Sequence, residues 1–149
     1  MVKEVADEFV LLKMIHKTID QMVEGLSDED WTKKSGAEYN SVAAVIDHVL
    51  LVEGKFLSGL AGTPNDTNTQ TPFKEAPDEL SNIRRRWEAS LGEAEAVLQG
   101  LTAADLDSRG LKLGVGELNK RQLLSYMIAH TAHHRGQIPI IKKLNQGVK

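Results

Sequence analysis

The sequence holds no cysteine in its 149 residues. That absence removes disulfides, thiolate metal sites and cysteine nucleophiles together, and it leaves histidine and the carboxylates as metal-binding side chains. Any sulfur chemistry has to come from a partner molecule. An excess of one charge is also lacking: 18 Lys and Arg stand against 21 Asp and Glu, a formal net charge of -3. So balanced a chain has no field that attracts a phosphate backbone, and nucleic acid is not expected as a partner. No apolar run approaches the roughly 20 residues of a membrane span. The first residues, Met-Val-Lys-Glu-Val-Ala-Asp-Glu, put acids where a secretory signal needs a basic stretch and then an apolar one. The expected location is the cytoplasm, with no membrane partner. Proline is scarce, and three of the four prolines fall between Ala61 and Pro77.

What the chain does have is an ordinary share of core material, 41% hydrophobic against 26% charged residues, which suits one domain over residues 1–149. Val5, Phe9, Leu12, Ile15, Ile19, Val23 and Leu26 recur at steps of three and four, which predicts a first helix from Val5 to Leu26. Leu26 to Trp31 reads as a stop and one short turn, with Gly36 in a loop. Val42, Val45, Val49, Val52, Phe56 and Leu60 follow the cap types Asn40 and Ser41 and predict a second helix. The proline-bearing stretch from Ala61 to Pro77 reads as a long crossover loop, whose length suggests parallel neighbours or a functional rim.

A third helix is expected from Asp78 to Leu101. The glycine-rich Leu101–Leu118 stretch reads as loop, and a fourth helix runs from Lys120 to about Leu144, with Pro139 threatening a kink. No segment argues for a strand. The sum is an all-α four-helix bundle with a long crossover connection.

The five histidines carry the chemistry. On the fourth helix His130 and His134 share the apolar stripe of Leu123, Met127 and Ile141, one turn apart, close enough for both rings to reach one metal at about 2.1 Å. His133 sits at the edge of that stripe. His48 borders the core stripe of the second helix and can point inward. His16 shares its stripe with Phe9, Leu12 and Val23, with Asp20 one turn on. A lone inward histidine is usually just a hydrogen-bonded core residue. Several inward histidines on separate helices, each with a desolvation cost, favour a shared metal.

His130-Thr131-Ala132-His133-His134-Arg135-Gly136-Gln137 matches an H-x-x-x-H-R-G-Q pattern, and Ser41-Val42-Ala43-Ala44-Val45-Ile46-Asp47-His48 matches the histidine-ending second-helix segment that accompanies it. Through these motifs, and over essentially its whole length, the chain resembles the DinB-like (YfiT-like) family of four-helix metalloproteins. The resemblance implies that His48, His130 and His134 bind one divalent metal, zinc or nickel first with iron and manganese open, and that His133 does not. It implies a homodimer, which the apolar load of the first and third helices also suggests. It further implies a metal-dependent enzyme that activates a small thiol or water toward a small-molecule electrophile: a transferase using a low-molecular-weight thiol as cosubstrate, with a hydrolase or a non-catalytic metal-binding module as alternatives.

The residues add limits of their own. Three protein ligands leave a metal open to a further group, the catalytic arrangement for zinc. The H-E-x-x-H peptidase pattern has the same histidine spacing, but Thr131 stands where it needs glutamate. Asp20, Asp47 and Glu53 have no fixed relation to the metal, so none is assigned as base. His16 is the catalytic candidate, a proton carrier lining the pocket with Asp20 orienting its ring. Arg135 and Gln137 are candidates to brace the ligands, and Gly136 suggests a close helix approach or backbone access beside His134. Arg84-Arg85-Arg86 spreads around its helix and reads as solvated, while Trp31 and Trp87 read as core or rim.

Overall fold

A computed structural model describes residues 1–147 of the chain. Helix α1 spans Lys3–Val23 and buries Val5, Phe9, Leu12, His16 and Ile19, the stripe its spacing predicts. It ends three residues short of Leu26 because Gly25 turns the chain at φ +78°, a left-handed conformation that a side chain would resist. Helix α2, Asp28–Thr32, is one turn held by a reciprocal cap in which Ser27 and Asp30 bond each other's backbone, and it plants Trp31 in the core. Helix α3, Val42–Leu60, starts on the Ser41 hydroxyl and is buried along nearly its whole length.

The connection after α3 is a long loop, as expected, apart from one added turn, helix α4 at Thr71–Lys74. Helix α5 spans Leu80–Gln99. Asp47 on α3 pairs with Arg86 early on α5, whereas Leu60 lines a cavity with Ala96 and Val97 near the end of α5. The two helices therefore run parallel, and the crossover is what lets them do so. Helix α1 also runs parallel to α6 (Lys120–Arg135), with Glu4 meeting Arg121 and Thr18 meeting Arg135.

Two expectations are corrected. The glycine-rich stretch is no plain loop: strands β1, Arg109–Leu113, and β2, Gly116–Asn119, form an antiparallel hairpin with an irregularity at Gly110. Leu111, Leu113 and Leu118 pack on the core while Lys112 and Glu117 face out, a two-residue alternation interrupted by glycines. The fourth helix, in turn, is two helices. It breaks at Gly136, and helix α7 runs Gln137–Asn145. Pro139 does not kink it, because it falls in the first turn of α7, where its missing N–H costs nothing.

Gly136 sits beside no neighbouring helix; a Cβ there would meet only the carbonyls of its own last turn. The close approach lies at Gly59 instead, where a Cβ would come within 2.5 Å of the Leu111 side chain and push the hairpin off α3. Among the described residues no helix is long and apolar enough to cross a membrane.

Candidate metal centre

Helices α3 and α6 face each other in opposite directions, and each is anchored at its start. Asn119 and Gln122 cap α6 reciprocally, as Ser41 caps α3. This fixes the register in which His48 meets His130 and His134. One ligand atom from each of the three lies within 4.8 Å of the others. The His130 Nε2 is 3.2 Å from the His48 Nε2 and 3.1 Å from the His134 Nε2. Two nitrogens bound to one zinc-like ion at about 2.1 Å lie about 3.0 to 3.4 Å apart, so the spacing is that of a shared ligand set.

The protons make the same point. The His48 Nδ1 donates to the Thr69 carbonyl at 2.6 Å, and a carbonyl can only accept. Its Nε2 is therefore a lone pair. The His134 Nδ1 donates to the Gln137 Oε1 at 2.8 Å, which leaves a second Nε2 lone pair. Both point at the His130 Nε2, which carries at most one proton while the ring is neutral. One of the two contacts thus sets lone pair against lone pair. A single cation between the three nitrogens resolves it, and the donor set fits a divalent metal.

Desolvation keeps the rings in the ligand form. Burial lowers the His48 pKa, against the opposing pull of the Thr69 bond and Asp47. Burial lowers His134 too, against its bond to Gln137. His130 is pushed down to about 3 by burial and then by its histidine neighbours. His48 is 2% exposed and His134 8%. The Phe73 ring, from α4, lies 4.4 Å from the His48 ring and covers that side. The Nδ1 of His130 is buried without a partner among the described residues. His133 packs edge-on against His134, is exposed, and stays outside the group of three.

His16 belongs to a different constellation. It is 2% exposed, and its Nε2 bonds the Glu53 Oε2 at 2.9 Å, while Thr131 donates to that same oxygen at 2.8 Å. The Trp87 ring stacks on it with centroids 4.1 Å apart. All four long helices α1, α3, α5 and α6 thus meet in one polar layer. Asp20 does not orient His16 as the spacing suggests; it accepts from the Trp87 Nε1 at 2.7 Å. An i, i+4 pattern cannot reveal a partner that arrives from another helix.

Gln137 braces His134 directly, whereas Arg135 turns away and donates to the Thr18 hydroxyl. The arginine run splits as well: Arg84 pairs with Asp28, Arg86 with the buried Asp47, and Arg85 is exposed. Neither the Thr69 carbonyl nor Phe73 has a signature in the sequence. The first is backbone, and the second lies in a short turn within the crossover.

Comparisons with known proteins agree with this architecture. A solved structure from Enterococcus faecalis, described as a conserved protein, has a TM-score of 0.75 over 95% of this chain and 96% of that one. At 14% identity this is a likeness of fold alone. No curated protein matches the chain. The family model of the DinB superfamily matches residues 11–138, a span that includes all five histidines and the whole crossover, and the chain belongs to that superfamily.

Proposed function

We propose that the chain is a metal-dependent enzyme in which His48, His130 and His134 hold one divalent ion, zinc or nickel in the first place, for a reaction between a low-molecular-weight thiol and a small electrophile. The observation that carries this is the convergence of three imidazole nitrogens of which two are fixed as lone pairs. A divalent ion there supplies a Lewis acid able to acidify a coordinated thiol or water near neutral pH. Three neutral ligands leave a coordination position free for it.

The chain's own residues do the rest. Thr69 and Gln137 hold two rings in the tautomer that presents Nε2. Thr131 stands beside the first α6 ligand and commits its hydroxyl to Glu53, so no carboxylate occupies the place of a peptidase base. The sulfur comes from outside, because the chain has none in cysteine. His16, held by Glu53 behind Thr131, is proposed as the residue that holds a proton for the site. The working protein is proposed as a cytoplasmic homodimer acting on a small molecule.

The test is a transfer assay with bacillithiol, or another small thiol, and a model electrophile, run with and without chelator. Chelator-sensitive thiol consumption supports the reading. Hydrolysis of the electrophile without thiol consumption assigns a metal-dependent hydrolase instead, and metal binding with turnover of neither kind assigns a metal-holding module. His16→Gln should lower the rate roughly ten- to a hundredfold with metal content unchanged. An unchanged rate returns His16 to packing.

A further inference from the structure

Gln137 has two faces. Its Oε1 accepts from the His134 Nδ1, and its side chain also lines a cavity of about 290 Å³ between the Glu38–Asn40 loop and α7. If His134 presents Nε2 to a metal, the amide oxygen must face the ring, and the amide's two N–H donors are left for something else. They have no partner among the described residues.

The rest of the cavity is amphipathic. Ile140, Ile141 and Leu144 of α7 form an apolar wall, and Glu38 and Tyr39 line the cavity as well. Ile140 is 60% exposed and Tyr39 43%, so two of the chain's exposed large apolar side chains sit on the lips of this one cavity. Branched aliphatic side chains, an amide and a carboxylate are thus all carried by residues that line the cavity, and together they suit one kind of ligand. It needs a carbonyl for Gln137, a donor for Glu38 and a short branched body for the wall. A carboxylate ligand would meet the Glu38 charge and lacks the donor.

We propose that this cavity is a binding subsite for a small neutral carboxamide on a short branched aliphatic body, coupled to the metal centre through Gln137. A ligand carbonyl on the Gln137 N–H polarises the amide and strengthens its bond to the His134 Nδ1–H, which makes His134 the better ligand. Linkage requires the reverse as well: the metal tightens the amide. The coupling rests on the metal reading above; the subsite does not.

The test follows methyl resonances of Ile140, Ile141 and Leu144 in the full chain, metal-free and zinc-loaded, against isovaleramide and isovalerate. Calorimetry of zinc binding runs alongside. Isovaleramide should shift these methyls saturably with a Kd of roughly 1 to 10 mM, the range for a ligand of so few atoms. Isovalerate should bind about tenfold more weakly, and zinc should tighten isovaleramide about threefold or more. Gln137→Leu should abolish the zinc dependence while the methyl spectrum of the free protein stays native.

Equal binding of the amide and the acid, or no saturable shift, overturns the subsite. Equal amide affinity with and without zinc, where calorimetry shows zinc bound, overturns the coupling. Failure of zinc to bind overturns the metal reading and takes the coupling with it, and the metal-free shifts then decide the subsite alone.

Discussion

Helices α3 and α6 bury two polar clusters, and the two are opposites. Around Glu53, a single carboxylate oxygen receives bonds from both His16 and Thr131, and the layer is closed by the protein's own groups. A few residues away on the same helices, three imidazoles face one another with fewer protons than their contacts need. A core tolerates buried polar groups when they satisfy each other. The first cluster meets that condition from within and the second does not. The first is therefore complete as it stands, whatever proton His16 holds for the site, and the second calls for a ligand, although both contain histidine and both lie on inward stripes.

The sharpest way to break that contrast is at Glu53. Glu53→Ala strands two buried donors at the centre of the bundle, and it should cost about 3 to 5 kcal/mol in urea unfolding. Glu53→Gln keeps an acceptor oxygen and should cost less, about 1 to 3 kcal/mol. If Glu53→Ala lies within 1 kcal/mol of the parent, the layer is not holding the fold. The corresponding change in the other cluster, His130→Leu, removes a strained contact and an orphaned Nδ1. It should leave metal-free stability within about 1 kcal/mol of the parent. What it should lose is the stabilisation by zinc, about 2.7 kcal/mol at a hundredfold excess over Kd. A His130→Leu protein still stabilised by zinc would remove the three-histidine site.

Gln137→Leu separates a ligand from its brace. It leaves all three histidines but takes away the acceptor that fixes the His134 tautomer. Zinc affinity should fall about 10- to 100-fold, measured by competition with a chromophoric chelator. An unchanged affinity would mean that packing alone orients the ring.

These two clusters were not equally legible in the sequence. Helical periodicity exposed the inward histidines, and the one-turn spacing of His130 and His134 is a local geometric fact. Bringing His48 to them needed the antiparallel meeting of α3 and α6, which the family motif supplied and periodicity did not. The Glu53 layer stayed hidden because its members are 37 and 78 residues apart. Each alone reads as an ordinary polar residue on a helix. The hairpin is hidden for a different reason: Leu111, Leu113 and Leu118 do alternate, but Gly110, Gly114 and Gly116 look like loop punctuation, although the first sits at a strand irregularity and the other two serve the tight turn. At Gly136 and Pro139 the residues that break a helix stand in the sequence, but which of them ends a helix and which begins one does not. Glycine ended one helix and proline fell in the first turn of the next.

The smallest effect expected is on the pH dependence of the metal-free protein, and its sign follows from the three facing imidazoles. His48, His130 and His134 all have pKa values below the ordinary 6.5, His130 down to about 3, with burial as the leading cause. The unfolded chain therefore takes up protons on these rings at a pH where the folded chain does not. Stability from this source is fully present above pH 6.5 and is lost as pH falls through that value toward the folded pKa values. Asp78 and Asp105, whose carboxylates are lowered by backbone hydrogen bonds, lose their contribution only below about pH 4. Between pH 6.5 and 4.5, then, the slope of unfolding free energy against pH reports the imidazoles. His130→Leu should flatten it measurably, because His130 is the ring pushed down to about 3. Glu53→Gln, measured over the same window, should lower the curve without changing the contribution of these three rings. A slope unchanged in His130→Leu would show that His130 is not held neutral by the fold.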